Sequence, residues 1–144
     1  MRMTWQISIF LENKIGHFER VTRILREASV NIRSMTINNT VSGWGILNLV
    51  VDQPERGCEA LVDGGVSATL REIIVLRMEE RPGGLDDILQ KLAAAAVNFD
   101  NAYGINHGKY AFLIVDAGNI PDARAKLKAV GVEPLTPEES YLKN

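Results

Sequence analysis

The chain has 144 residues, of which 46% are hydrophobic and 24% charged, and its formal net charge is −2. This length fits one ordinary domain or two of the smallest kind that fold, and the charge gives no electrostatic attraction toward nucleic acid or membrane lipid. The single cysteine, Cys58, excludes an internal disulfide. Neither a secretory leader nor a run of ~20 apolar residues is recognisable, so we expect a cytoplasmic protein outside the membrane.

The first half of the chain predicts four strands and two helices. Alternating apolar residues indicate a strand over residues 4–11, and the polar stretch 12–16 a turn. Helical spacing of Phe18, Val21 and Leu25 predicts a helix over residues 17–29. Strands over 31–39 and 45–52 follow, then a helix that begins at Pro54 and ends at Gly64. A weaker strand is predicted over residues 66–72.

The second half predicts the same order of elements. We expect a strand over residues 73–79, a turn over 80–84, a helix that ends at 96, and strands over 98–105 and 109–116. A helix over 121–130 and a last strand over 132–135 complete the set. The tail, residues 136–144, is expected to lie on the surface.

Two stretches of the chain repeat each other at an offset of 67 residues. Residues 11–32 read LENKIGHFERVTRILREASVNI, and residues 78–99 read MEERPGGLDDILQKLAAAAVNF. The matched pairs include one pair of turn glycines, two pairs of helix residues and one pair of asparagines, namely Gly16 with Gly83, Leu25 with Leu92, Ala28 with Ala95, and Asn31 with Asn98. An internal repeat of this length indicates two copies of one module.

Each copy therefore reads β-α-β-β-α-β, which predicts an α+β, ferredoxin-like fold with an antiparallel sheet and two helices on one face. The predicted boundaries are 1–72 for the first module, 73–135 for the second and 136–144 for the tail. A module of about 70 residues buries little core. We therefore expect the two modules to pair side by side.

The sheet face away from the helices is also expected to carry apolar residues. Phe10 points away from the helices if its neighbours point toward them, and Val50 alternates with Leu49 in the third strand. A sheet face in contact with water is normally polar. A second chain, which gives a homodimer, is the favoured cover for this face, and folding of the two sheets onto each other is the alternative.

The turn before each first helix can bind an anion. The first N–H groups of a helix have no internal acceptor and, with the helix dipole, favour a carboxylate or a phosphate. Gly16 and Gly83 allow close approach to the backbone, and the amides of Asn13 and Asn31 can both donate and accept hydrogen bonds. The alternative is structural, because glycine also serves a tight turn and asparagine a cap.

These turns, each followed by an amphipathic helix and Val-Asn-Ile or Val-Asn-Phe, resemble the ACT domain, and the whole chain resembles the small tandem ACT proteins. The resemblance implies a non-enzymatic regulatory module that binds an amino acid between the first loop of one module and the second strand of its partner. It also implies a partner enzyme encoded as a separate chain. Glu12, Asn13, Lys14 and Gly16 match the family's loop, and Asn31 and Ile32 its strand.

Departures from the family loop predict that the two sites are unequal. Leu11 replaces a histidine and Ile15 a proline, while Glu80 replaces the loop asparagine in the second copy. The carboxylate of Glu80 would repel a ligand carboxylate. We therefore expect a working site formed by the first loop with Asn98 and Phe99, and a weak or empty site at Glu80.

The predicted ligand-binding residues come from both loops and both strand starts. They are Glu12, Asn13, Lys14, Ile15, Gly16, His17, Phe18, Asn31 and Ile32 in the first copy, and Glu80, Arg81, Pro82, Gly83, Gly84, Leu85, Asn98 and Phe99 in the second. The apolar Leu11, Ile15 and Phe18 favour an apolar or aromatic amino acid as the ligand. No catalytic residue, metal site or cofactor is predicted, because the sequence offers no acid-base pair, nucleophile motif or metal-ligand spacing.

Two other functions remain open. A protein-protein adaptor that keeps the fold without a ligand is the nearest rival, and Leu11, Ile15 and Glu80 favour it. RNA-recognition motifs share the order of elements but need paired aromatic residues and a basic surface. The third strand, GILNLVV, offers Phe10 no aromatic partner. Trp44, between two glycines, is expected to pack on the partner module or to cover a ligand, and Cys58 to be buried and inert.

Overall fold

The computed structural model describes residues 3–40, 42–107 and 110–139. The elements in chain order are β1 (Thr4–Glu12), α1 (His17–Glu27), β2 (Ile32–Asn39), β3 (Trp44–Val51), α2 (Pro54–Asp63), β4 (Ser67–Met78), α3 (Gly84–Ala94), β5 (Asn101–His107), β6 (Tyr110–Asp116) and α4 (Ile120–Ala129). They fall into two compact units, residues 5–71, here the N-terminal module, and residues 72–139 with 3–4, here the C-terminal module. None of the described helices is long and apolar enough to cross a bilayer.

The N-terminal module has the strand order β2-β3-β1-β4, with antiparallel pairing of β1 and β2 to β3. Its core lies between the sheet and the helices α1 and α2. Alternate strand residues such as Ile9 and Leu47 meet Val21 and Leu25 of α1 and Leu61 of α2, and all are fully buried. The apolar residues predicted from the strand and helix periodicities therefore face one common core.

The face of the N-terminal sheet away from its helices carries a row of polar side chains, here the polar row. Ser8 lies opposite Asn48 and Asn48 opposite Thr36, so the row crosses three strands in register. Ser8 Oγ donates to Asn48 Oδ1 at 2.8 Å, and Asn48 Nδ2 reaches Thr36 Oγ1 at 3.5 Å. Asn48 is buried, whereas Phe10 on the same face is 54% exposed. The apolar character predicted for this face is thus interrupted by hydrogen-bonded polar groups.

The C-terminal module repeats the plan with the strand order β4-β6-β5 and the helices α3 and α4. Leu76, Leu113 and Val115 of the sheet pack with Leu92 of α3 and Leu127 of α4 in a buried core. With six strands and four helices in the described residues, the predicted α+β ferredoxin-like class is confirmed.

The structure corrects three predicted boundaries. The predicted strands over 66–72 and 73–79 are one continuous strand, β4, because the run SATLREIIVLRM holds no turn residue. The predicted last strand over 132–135 does not form, since Pro134 has no N–H and a single ladder bond remains, from Leu135 N–H to Val75 O at 2.9 Å. Residues 140–144 of the predicted tail lie outside the described residues.

The third correction concerns the start of β5, predicted at residue 98 and observed at Asn101. The ladder to β6 begins beside the bond from Asp100 N–H to Asp116 O, 2.8 Å long. Asn98 and Phe99 therefore lie in the loop between α3 and β5 rather than at a strand start.

Candidate functional site

The two predicted loops have the same backbone geometry. Gly16 and Gly83 stand at the N-caps of α1 and α3 in the left-handed conformation, with φ of 88° and 87°. In the first loop, Lys14 N–H donates to Glu12 O and His17 N–H to Lys14 O. In the second loop the bonds from Arg81 N–H and Gly84 N–H repeat this pattern. The sequence repeat is therefore accompanied by a repeat of the backbone hydrogen bonds of the loop.

The match extends to the helix ends. Val30 N–H donates to Leu25 O at 2.9 Å, and Val97 N–H to Leu92 O at 3.0 Å. Ser29 and Ala96 lie at these ends with φ of 59° and 58°, a left-handed conformation that is uncommon outside glycine. The two modules therefore share the backbone geometry at both ends of their first helix.

The first loop borders a small cavity, here the loop cavity, of about 30 Å³. Five of the predicted ligand-binding residues line it together with the β2–β3 hairpin: Glu12, Asn13, Lys14, His17 and Phe18, with Leu11, Ile37, Asn39, Gly45 and Leu47. A volume of this size holds a water molecule or two.

The hairpin wall of the loop cavity is not predictable from the turn pattern. Asn39 ends β2, as predicted, but its place in the wall of the cavity was not predicted. A Cβ on Gly45 would lie 2.5 Å from Asn39 Oδ1, so the glycine makes room for that amide. The glycine after Trp44 is the sequence signal that could have placed Asn39 here.

His17 is fixed between the loop and the helix start. Its Nδ1 lies 3.0 Å from Glu12 O, and because a carbonyl oxygen only accepts, Nδ1 carries the proton. Lys14 Nζ lies 3.3 Å from Glu12 Oε2, so the one acidic side chain of this wall is paired. Ile15 points away from the cavity and is fully exposed.

Asn31 and Ile32 lie beyond the other end of α1 from the first loop. An eleven-residue helix is about 16 Å long, so these residues do not meet Asn13 within their own module. Asn31 N–H donates to Asp52 Oδ1 at 2.9 Å, and Asp52 N–H donates back to Asn31 O. The local role of Asn31 is therefore to join the start of β2 to the end of β3.

The second loop is tied by charge. Arg81 pairs with Glu79 and, at 2.5 Å, with Asp87 Oδ2, and these hydrogen bonds raise the pKa of Arg81 above its ordinary value. A Cβ on Gly84 would lie 1.9 Å from Glu79 O, so no other residue fits there without movement of the backbone. Pro82, Leu85 and Phe99 are exposed. An ion-pair cluster around Arg81 therefore holds the second loop, whereas the contact of His17 with Glu12 O holds the first loop.

Each module also has an open groove beside its first helix. In the N-terminal module the groove measures about 490 Å³, and its walls include Phe10, Glu12, His17, Arg20, Val21 and Trp44. In the C-terminal module it measures about 550 Å³, and the matching positions hold Arg77, Glu79, Gly84, Asp87, Ile88 and Tyr110. Neither groove was predicted from the sequence.

The rings of Phe10 and Trp44 stack in the first of these grooves, with centroids 4.8 Å apart and planes 3° apart. The prediction that Phe10 has no aromatic neighbour was wrong, because β3 begins at Trp44 rather than at Gly45. The ring contact of Trp44 is with its own module. Cys58 is half-buried rather than buried, and desolvation raises the pKa of its thiol.

Comparison with known proteins gives the family. The structure resembles the crystal structure of protein BT0572 from Bacteroides thetaiotaomicron at 26% identity, with a TM-score of 0.84 over 95% of this chain and 94% of that one. It also has the fold of the ligand-free regulatory subunit of aspartate kinase from Thermus thermophilus, with 19% identity and a TM-score of 0.66 over 90% and 91% of the two chains.

The corresponding subunit from Thermus flavus matches with 19% identity and a TM-score of 0.62 over 90% of this chain and 92% of that one. No curated protein sequence matches this chain. The family described as the ACT domain pair matches residues 2–133. The duplicated loop, helix and helix end agree with that match, and the chain therefore belongs to the ACT domain pair family.

Proposed function

We propose that this protein is a non-enzymatic regulator that binds an amino acid at the first loop. The observation that carries the proposal is the uncapped start of α1 beside the loop cavity. Gly16 has no side chain to cap the helix, whereas Asn119 caps α4 by accepting from Asp122 N–H at 3.0 Å. The first-turn N–H groups of α1, such as that of Phe18, have no intrahelical acceptor, and a ligand carboxylate can take that place.

The side chains around the helix start support a zwitterion. Asn13 and His17 line the loop cavity and offer polar atoms, and the amide of Asn13 can accept from an ammonium group. The cavity itself is too small for a whole amino acid, so we propose that it anchors one end of the ligand. Completion of the site by Asn98 and Phe99 stays a prediction.

Charge favours the first loop over the second. Around the start of α1, Lys14 and Arg20 balance Glu12 and Glu19, whereas at the start of α3 a single cation, Arg81, stands among the four carboxylates of Glu79, Glu80, Asp86 and Asp87. Carboxylates at a helix start compete with an anionic ligand for the same N–H groups. We propose that the site framed by Glu80 is weak or empty.

The proposal is tested by a thermal-shift screen of the intact protein against the twenty amino acids, followed by calorimetry on the best ligand. Asn13→Ala should weaken binding by about 1–3 kcal/mol, roughly 5- to 150-fold, since it removes one hydrogen-bond partner that the bound ligand would cover. Glu80→Ala is the matched control at the same loop position and should leave the affinity unchanged. Equal losses in both variants, or none in either, would refute the asymmetry.

A ligand-free adaptor is the second candidate, favoured by the small volume of the loop cavity and by the exposure of Ile15. In either function, we propose that the protein is a homodimer that acts on an enzyme encoded as a separate chain. We also propose that it is located in the cytoplasm. A ligand can switch such a partner only through different affinities for two states. The absence of a thermal shift with every amino acid would favour the adaptor. Sedimentation equilibrium tests the homodimer.

A further inference from the structure

The groove between β1 and the start of α1 in the N-terminal module, here the aromatic groove, lies beside the proposed amino-acid site and shares part of its wall. We infer that it binds a small aromatic carboxylate. The site is separate from the loop cavity, although both touch Glu12 and His17. Three observations carry this inference: a partly exposed aromatic stack, a cation on α1 that lines the same groove, and a matched groove that lacks the stack.

The aromatic stack is open to a third ring. Phe10 and Trp44 lie parallel with their centroids 4.8 Å apart, while 54% of Phe10 and 39% of Trp44 remain exposed. About half of Phe10 and two fifths of Trp44 therefore stay in contact with water. An added ring gains both apolar burial and stacking energy there.

The cation is Arg20 on α1. Its Nη2 donates to Gly64 O, which holds the guanidinium against the end of α2. A guanidinium has five N–H donors, so this contact leaves donors for a carboxylate. Glu12, the acidic wall residue, is paired with Lys14 at 3.3 Å, which reduces its repulsion of an anion.

The equivalent groove of the C-terminal module has one aromatic ring, Tyr110, in place of the stacked pair. Arg77 stands in the place of Phe10, and its guanidinium lies 5.2 Å from the centroid of Tyr110, so it covers one face of that ring. Asp87, which is paired with Arg81, stands in the place of Arg20, and Lys91 also lines this groove. Without a stacked pair of rings, this groove should bind an aromatic acid more weakly, although its volume is similar.

The volume of the aromatic groove, about 490 Å³, lies within the range of small-molecule sites. Val21 and Val66 lie beneath the groove and are buried, so the partly exposed rings of Phe10 and Trp44 supply its apolar contact surface. A bicyclic ring with a short acidic side chain would place its ring on the stack and its carboxylate toward Arg20.

The test is an NMR titration of the full chain with indole-3-acetate, with neutral indole and acetate as separate probes. We expect saturable shifts of the Trp44 indole N–H signal and of the backbone amides of Phe10 and Arg20 with indole-3-acetate, weaker binding of indole and none of acetate. Arg20→Gln should weaken indole-3-acetate binding about fivefold or more, from the loss of a charge-assisted bond, and leave indole binding unchanged. Trp44→Ala should weaken both, and Trp44→Phe should retain most binding if the ring is what matters; both are followed at the Phe10 and Arg20 amides, because the indole signal is lost.

The controls use the matched groove and the loop site. Tyr110→Ala should leave the titration unchanged, and so should Asn13→Ala, which separates this inference from the proposed amino-acid site. A parallel titration with L-tryptophan tells whether a free amino acid or an acid without the ammonium group is preferred. The inference fails if no shift saturates, if Arg20→Gln weakens indole as much as indole-3-acetate, or if Tyr110→Ala has the effect of Trp44→Ala.

Discussion

Gly16 and Gly83 have the same left-handed backbone in different surroundings. A Cβ added to Gly16 would meet open space, whereas one added to Gly83 would lie 3.3 Å from Arg81 Nη1. The conformation is therefore set by the shape of the loop rather than by crowding. In both modules it places the first N–H groups of a helix at an open surface. The feature that the duplication preserves is thus a backbone geometry.

Gly16→Ala should destabilise the protein by about 1–2 kcal/mol, because the new Cβ meets the backbone in the left-handed region but no neighbouring atom. Gly84→Ala should cost more, since its Cβ would lie 1.9 Å from Glu79 O. Urea unfolding followed by circular dichroism measures both. A larger loss for Gly16→Ala than for Gly84→Ala would contradict the two geometries.

Asn48→Ala should reduce the free energy of unfolding by about 1–3 kcal/mol, because Ser8 loses the acceptor of its 2.8 Å hydrogen bond in a partly buried row. A double-mutant cycle with Ser8→Ala should be non-additive, as expected for residues in one network. Urea unfolding of the four proteins measures the coupling, with Thr40→Ala as an exposed control. Additive losses would show that the polar row does not act as a unit.

Arg124→Gln should destabilise by about 1.5–3 kcal/mol, the usual contribution of a hydrogen bond to a charged group. Arg124 Nη2 lies 3.0 Å from Glu72 Oε2, and the two side chains are only 20% and 17% exposed. The matched control is Arg23→Gln, which breaks a surface pair with Glu19 and should cost less than about 0.5 kcal/mol. Equal losses in the two variants, by urea unfolding, would disprove the role of burial.

Tyr103 should make the protein sensitive to alkali. Burial, and next the charge of Asp116, raise the pKa of its phenol above the ordinary value. The folded state therefore favours the protonated ring, and the stability from this preference is complete below pH ~10 and declines as the pH rises above it. Tyr103→Phe should lose less stability than the natural protein between about pH 9 and pH 11, which urea midpoints can measure. Tyr110→Phe, at an exposed ring, is the control, and equal slopes in all three proteins would contradict the assignment.

The sequence predicted the elements that depend on local pattern. The glycine turn, the amphipathic helix and its end were visible because the same residue types recur 67 positions apart, and the strands because apolar residues alternate. Boundaries that depend on partners were missed. Asn98 reads as a strand start by analogy with Asn31, yet the β5 ladder begins only near Asp100, where Asp116 offers a carbonyl.

The site was predicted less completely than the fold. The first loop could be named residue by residue, but Asn39 and Gly45 reach the loop cavity through the β2–β3 register, which no local pattern reveals. The stack of Phe10 on Trp44 likewise depends on strand pairing, since Phe10 lies opposite Ile46 and the indole reaches it diagonally. Long-range pairing decides these contacts.

The polar row formed by Ser8, Asn48 and Thr36 also affects which strand register the N-terminal sheet adopts. Ser8 and Asn48 are separated by forty residues of chain, so many misaligned pairings of β1 and β3 are open to the collapsing polypeptide. A slip of one residue turns Asn48 toward the helices and leaves its amide without a partner among apolar groups. The polar row therefore destabilises sheets with the wrong strand register, a selection against wrong structures that an all-apolar face would not provide.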